Sequence, residues 1–115
     1  MPIKEALKHL AALDDQPDIQ KFVKSWCSTY DGKVIDLDLG EESYHLVFRA
    51  DGRILFKTSL STSFDLRVIT SPQCLAELLK GSKALKDALK AGELKTWGNF
   101  HEARQLESFL RLAME

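Results

Sequence analysis

The run Phe64-Asp65-Leu66-Arg67-Val68-Ile69-Thr70, followed at once by Ser71-Pro72 and a Leu-rich segment, constrains this chain more than any other stretch. Apolar residues at alternate positions give an extended strand with one face for a core. Ser71 can accept from the free N–H groups of a first helical turn, and Pro72 brings its φ already set. A helix from Pro72 to Lys80 therefore follows the strand directly. Further on, Gly92-Glu93-Leu94-Lys95-Thr96-Trp97-Gly98-Asn99 reads as a short last strand. Its Asn99 caps a closing helix with the apolar stripe Phe100, Ala103, Leu106, Phe109, Leu110 and Ala113.

The first half completes an α+β pattern. Ile3, Ala6, Leu7, Leu10 and Leu13 fall at helical spacing behind Pro2, and this helix is expected to stop near Asp14-Asp15. Asp15 is then a cap for a second helix carrying Ile19, Phe22, Val23 and Trp26, which Asp31-Gly32 breaks. Ile35 to Leu39 alternates with Asp36 and Asp38, predicting a strand with its carboxylates toward solvent. Tyr44 to Arg49 and Arg53 to Lys57, joined by the tight turn Asp51-Gly52, complete a three-stranded meander. Thr58 to Ser63, with five hydroxyl residues around Leu60, reads as a loop. Between Pro72 and Gly92 two helices bury Cys74, Leu75, Leu78 and Leu79, then Leu85, Ala88 and Leu89.

Composition narrows the functional classes. The 115 residues suit a single domain over residues 1–115, and a net charge of -1 offers no general attraction to nucleic acid. Ten acids face six bases over residues 1–51, and seven face ten over residues 52–115, an asymmetry that reads as two solvated faces. The one basic cluster, Lys80, Lys83, Lys86, Lys90 and Lys95, lacks interleaved aromatics. A solvated helix face is therefore the expectation for it, with transient membrane contact ranked ahead of nucleic-acid binding as the alternative. His9, His45 and His101 sit on three different elements, and Cys27 and Cys74 lie outside any C-x-x-C pattern, so no metal or cofactor site is indicated. Cys74 belongs to an apolar stripe that would disfavour a thiolate, and no nucleophile elbow or phosphate loop is present; the expectation is a protein that is not an enzyme. With two free thiols, no apolar leader and an Ala113-Met114-Glu115 end, a cytoplasmic location is expected.

The order of these pieces resembles the sterol carrier protein 2 family. The alternating strand, the Ser helix start, Leu78-Leu79-Lys80-Gly81, Gly92 to Lys95, Gly98-Asn99 and the amphipathic last helix carry the likeness. The resemblance implies a five-stranded mixed sheet covered by helices on one face, with an apolar tunnel between the layers that holds a hydrophobic small molecule or lipid. The tunnel candidates are Leu37, Phe56, Leu66, Val68, Leu75, Leu78, Leu79, Leu85, Leu89 and Leu94. Phe100, Leu106, Phe109 and Leu110 of the last helix are placed near it to control access. Burial at about 0.8 kcal/mol per methylene gives an ordinary acyl tail on the order of 10 kcal/mol gross, so lipid affinity comes easily and specificity does not. Many members of the family carry paired aromatics where this chain has Ala88-Leu89, and often an apolar residue at Thr96. A fatty acyl lipid or a polyprenyl quinone is thus as well suited as a sterol. The alternative is a ligand-free relative acting as an interaction module or homodimer.

Overall fold

The structure, a computed structural model, describes residues 3–28 and 32–114. Helix α1 (Ile3–Ala11) runs into a 3-10 turn (Ala12–Asp15) and then α2 (Pro17–Trp26). The strands β1 (Gly32–Asp38), β2 (Ser43–Arg49), β3 (Ile54–Lys57) and β4 (Leu66–Thr70) follow. Next come α3 (Pro72–Leu79), α4 (Leu85–Lys90), β5 (Leu94–Gly98) and α5 (Phe100–Ala113). The strands form one five-stranded sheet in the order β3-β2-β1-β4-β5, mixed because β4 pairs parallel to β1 while the other ladders are antiparallel. Ser71 Oγ accepts from Cys74 N at 3.1 Å, and Asn99 Oδ1 accepts from His101 N at 2.8 Å, so both expected caps are formed. No helix among the described residues is long and apolar enough to cross a membrane. Pro2 and Asp31, expected to open α1 and to end α2, lie outside the described residues.

The pleat divides the sheet into two chemically distinct faces. Ile35, Leu37, Leu46, Phe48, Leu66, Val68 and Leu94 are buried on the face that meets the helices, in one continuous core with Leu7, Leu10, Leu75, Leu78, Leu85, Leu106 and Phe109. At one end of this core Phe109 meets the Phe48 ring edge-on at 5.0 Å and the Phe22 ring at 6.1 Å. Across the other face the ladders align Lys57, His45, Asp36, Arg67 and Trp97 in one row.

Two local expectations are corrected. Asp36 does not face solvent: it is 0 % exposed, with Oδ2 accepting from Arg67 Nη2 at 2.9 Å and Oδ1 from Ser61 Oγ at 2.8 Å and Ser61 N at 3.1 Å. The loop after β3 folds over this face, and Phe64 covers the Arg67 guanidinium at 4.5 Å, so strand alternation assigned the face correctly but not what covers it. Asp15 does not cap α2 either. Gln16 holds the cap position ahead of Pro17, and the acidic pair is used elsewhere, Asp14 Oδ2 accepting from Ile54 N at 3.0 Å and so tying the α1–α2 turn to β3.

Candidate functional site

The apolar stripes of α1, α3, α4 and α5 converge on the inner face of β1, β2 and β4 because helical and strand periodicities point the same residues inward. Where they meet there is a void of about 20 Å³, walled by Leu7, Leu10, Ile35, Leu37, Leu46, Val68, Leu75, Leu78, Leu79, Leu85, Leu106 and Leu110. That is room for about one water molecule, among side chains that offer it no hydrogen bond. The layers are therefore packed together, and the tunnel implied by the family resemblance is not open here.

Two larger cavities flank this void. The first, about 350 Å³, is a groove between α1, α3 and the end of α5, lined by Ile3, Ala6, His9, Leu10, Leu13, Ala76, Leu79, Lys80, Ala113 and Met114. The second, also about 350 Å³, lies between the α3–α4 connection and α5 and is lined by Leu78, Gly81, Lys83, Ala84, Leu85, Glu107, Leu110, Arg111 and Met114. Leu10 and Leu79 are shared between the first groove and the void, and Leu78, Leu85 and Leu110 between the second groove and the void. One layer of leucine side chains thus separates each groove from the interlayer. Met114 is common to both grooves, at the C-terminal end of α5. Gly81, at φ +77, makes room for it: a Cβ there would lie 3.0 Å from the Met114 sulfur.

The charges at the second groove are already paired. Lys83 Nζ lies 2.6 Å from Glu93 and 3.2 Å from Glu77, and the hydrogen bond to Glu93 chiefly holds its pKa above the usual lysine range. The lysine cluster is thus partly neutralised within its own surface. At the other end of α5 a polar cavity of about 450 Å³ is lined by Ser25, Trp26, Ser28, Lys33, Asp65, Asn99, His101, Glu102 and Gln105. There Lys33 and Glu102 form a buried pair at 2.6 Å, and Trp26 Nε1 donates to Glu102 at 3.2 Å. Burial pushes the nearby Cys27 thiol up against the opposing effect of a hydrogen bond at Lys33, and its Sγ donates to Phe48 O at 3.1 Å. This thiol is held protonated and packed, the reverse of an activated nucleophile.

Eight sequence candidates wall the void: Leu37, Val68, Leu75, Leu78, Leu79, Leu85, Leu106 and Leu110. The other six lie apart. Leu66 and Leu94 are buried elsewhere in the core, and Leu89 packs half-buried against it. Phe56 stacks on Tyr44 at 5.6 Å, Phe109 is enclosed by Phe22 and Phe48, and Phe100 is 64 % exposed. Phe100 and Phe109 line none of these four cavities. Leu7, Leu10 and Ile35 were recognisable as core residues from their periodicity, whereas Leu46 is not singled out within the strand expected from Tyr44 to Arg49. Only the docking of α1 beside α3 brings Leu7 and Leu10 to the interlayer.

No curated protein matches the chain in sequence. Among solved structures, a ubiquinone synthesis protein, UbiJ-SCP2, superposes with a TM-score of 0.71 at 19 % identity, covering 94 % of each chain. The apo form of sterol carrier protein 2 from Yarrowia lipolytica gives a TM-score of 0.67 at 21 % identity, over 98 % of this chain and 90 % of that one. The inverting sec-alkylsulfatase Pisa1 from Pseudomonas sp. matches at a TM-score of 0.61 and 20 % identity. That match spans 71 % of this chain but only 13 % of the sulfatase, so the likeness is to one part of a much larger protein. At these identities the superpositions establish a shared fold. The sequence pattern of the SCP-2 sterol transfer family also matches residues 5–111, and the chain therefore belongs to that family.

Proposed function

We propose that this protein binds and carries, or presents, a hydrophobic small molecule without transforming it, its tail lying between the sheet and the helices. One observation carries the reading: a wholly apolar interlayer void separated by single leucines from two apolar grooves of about 350 Å³ each. A ligand tail pressed into either groove reaches the interlayer when Leu79 or Leu110 changes rotamer and the end of α5 yields. The methylenes it buries offset that rearrangement at about 0.8 kcal/mol each. The sterol-transfer family, together with a fold neighbour that serves ubiquinone synthesis, supports a fatty acyl, sterol-like or polyprenyl quinone-type ligand. The reading is tested by titrating the protein with a fluorescent polyene fatty acid and displacing it with unlabelled fatty acids, sterols and quinones. Saturable uptake with a ranked displacement series is expected. Failure of every lipid class to bind would overturn it.

The nearly filled interlayer favours a second reading, a ligand-free relative that works through a partner or a second copy. It predicts no lipid uptake, together with a concentration-dependent change in mass by analytical ultracentrifugation.

A further inference from the structure

The two edges of the sheet are finished differently. At the β3 edge α1 packs against the strand, and Asp14 Oδ2 accepts from Ile54 N at 3.0 Å, so that edge is covered and part of its hydrogen bonding is used. The β5 edge has no such cover. Leu94–Gly98 pairs antiparallel with β4 on one side, and among the described residues no other hydrogen bond reaches its backbone. The strand holds no proline, and its Trp97 is 63 % exposed. Its register fixes where the side chains point. Thr96 and Gly98 lie opposite Val68 and Leu66, which are buried toward the helices, so Lys95 and Trp97, opposite Ile69 and Arg67, share the face turned away from the helices. Lys95 is exposed and forms no ion pair among the described residues.

We propose that β5 is where a second copy of this chain adds its own β5, continuing the sheet antiparallel across a two-fold axis. A free strand edge is a row of N–H and C=O groups spaced for another strand, and a strand is the partner its chemistry specifies. The sequence of β5 is self-complementary about its midpoint. With the axis at Thr96, Thr96 faces its own copy, Leu94 faces Gly98 and Lys95 faces Trp97, so all 5 residues of each strand are paired. Directly opposed side chains have Cβ atoms about 4.5–5.5 Å apart, which puts each Lys95 ammonium within reach of the other copy's indole ring. Neighbouring registers are poorer. An axis at Lys95 sets Lys95 against Lys95, and an axis at Trp97 leaves Lys95 facing Asn99, outside the strand. A lysine on an edge ordinarily deters pairing, and here it deters only the wrong register. Standard protein interfaces bury about 1,200–2,000 Å² in total, more than one short strand pair supplies, so the dimer is a reversible one. No residue of β5 lines any of the four cavities, and pairing leaves both grooves as they are.

The test is sedimentation equilibrium at rising protein concentration, with urea unfolding of the dilute protein and fatty-acid uptake read on the same samples. A reversible monomer–dimer equilibrium is expected. Lys95→Glu removes both cation–ring pairs and should weaken it about tenfold without changing the unfolding midpoint. Trp97→Glu sets a carboxylate opposite Lys95 and should keep the dimer, whereas Lys95→Glu with Trp97→Glu opposes like charges and should abolish it. Thr96→Cys should form an intermolecular disulfide under mild oxidation, because opposed Cα atoms lie about 4.5–5.5 Å apart, and Thr62→Cys, on an exposed loop, should not. Cys27 and Cys74 are buried and do not compete. A monomer at every concentration, a double variant that pairs as well as Trp97→Glu, or a Thr62→Cys link as fast as that of Thr96→Cys would overturn the proposal. Fatty-acid uptake decides the carrier reading by itself, and the dimer stands with or without it.

Discussion

Phe109 and Leu110 are neighbours on α5, and their truncation should separate a packing residue from a wall of the proposed site. Phe109 is fully buried between Phe22 and Phe48 and lines none of the four cavities described above. Phe109→Ala leaves a sealed hole among rigid rings and should cost about 3–5 kcal/mol. Leu110 stands between the void of about 20 Å³ and the second groove of about 350 Å³. Leu110→Ala removes three carbons, about 2.4 kcal/mol of transfer free energy at 0.8 per methylene, but joins the void to an open groove instead of enclosing a new one. The cavity penalty of about 24 cal/mol per Å³ then largely falls away, and the cost should stay near 2 kcal/mol. Urea unfolding of both variants, paired with titration of a fluorescent fatty acid, makes the comparison. Leu110→Ala is expected to take up the probe faster or more tightly than the parent chain, whereas Phe109→Ala gains nothing. Equal destabilisation of the two variants, with uptake unchanged or lost in Leu110→Ala, would refute the idea that Leu110 is a partition.

Other perturbations test the frame that holds this site. Asp36→Ala leaves the Arg67 guanidinium beside an empty position and should cost about 3–5 kcal/mol in urea unfolding; replacing Asp36 and Arg67 together by Leu and Met should recover most of it. Gly98 has φ +122, and a Cβ there would lie 2.4 Å from Asp65 O, so Gly98→Ala should lose more than about 2 kcal/mol by the same measurement. Gly40→Ala, at φ +91 with nothing within 4 Å, should pay for backbone strain alone. Burial raises the Cys27 thiol above its ordinary range, and burial with the neighbouring Glu42 does the same for Tyr44. The native state therefore keeps these protons after the unfolded chain has released them. Stability should be fully present below about pH 8.5 and fall as pH climbs through 9 and 10, with Cys27→Ala flattening the first part of that decline in pH-dependent unfolding curves.

What was legible in the sequence follows from which interactions are local. Ser71-Pro72 and Asn99 act within one turn of themselves, and both helix starts could be read from them. The alternation in Phe64 to Thr70 located β4, although the strand begins only at Leu66, because Phe64 leaves the ladder to cover Arg67 and Asp65 accepts from Val34 N at 2.7 Å. Asp36 was harder: its position in a strand is local, but its partners Ser61 and Arg67 lie 25 and 31 residues away. Leu10 announced itself as a core residue of α1, yet its place in the wall of both a groove and the void depends on where α1 docks. Met114 carries no periodic signal at the end of the chain, and its place between the grooves is defined by Gly81 across from it. Whether the layers enclose a tunnel or close on each other is a question of summed side-chain volume, to which residue type alone is blind.

The central claim, that the leucine-walled interlayer opens to hold a lipid, is tested most directly by native mass spectrometry of the purified protein before and after organic extraction. The account predicts a bound mass of lipid size that extraction removes and that returns on incubation with the same lipid class. A bare polypeptide mass at every stage, unchanged by fatty acids, sterols and quinones, would contradict it.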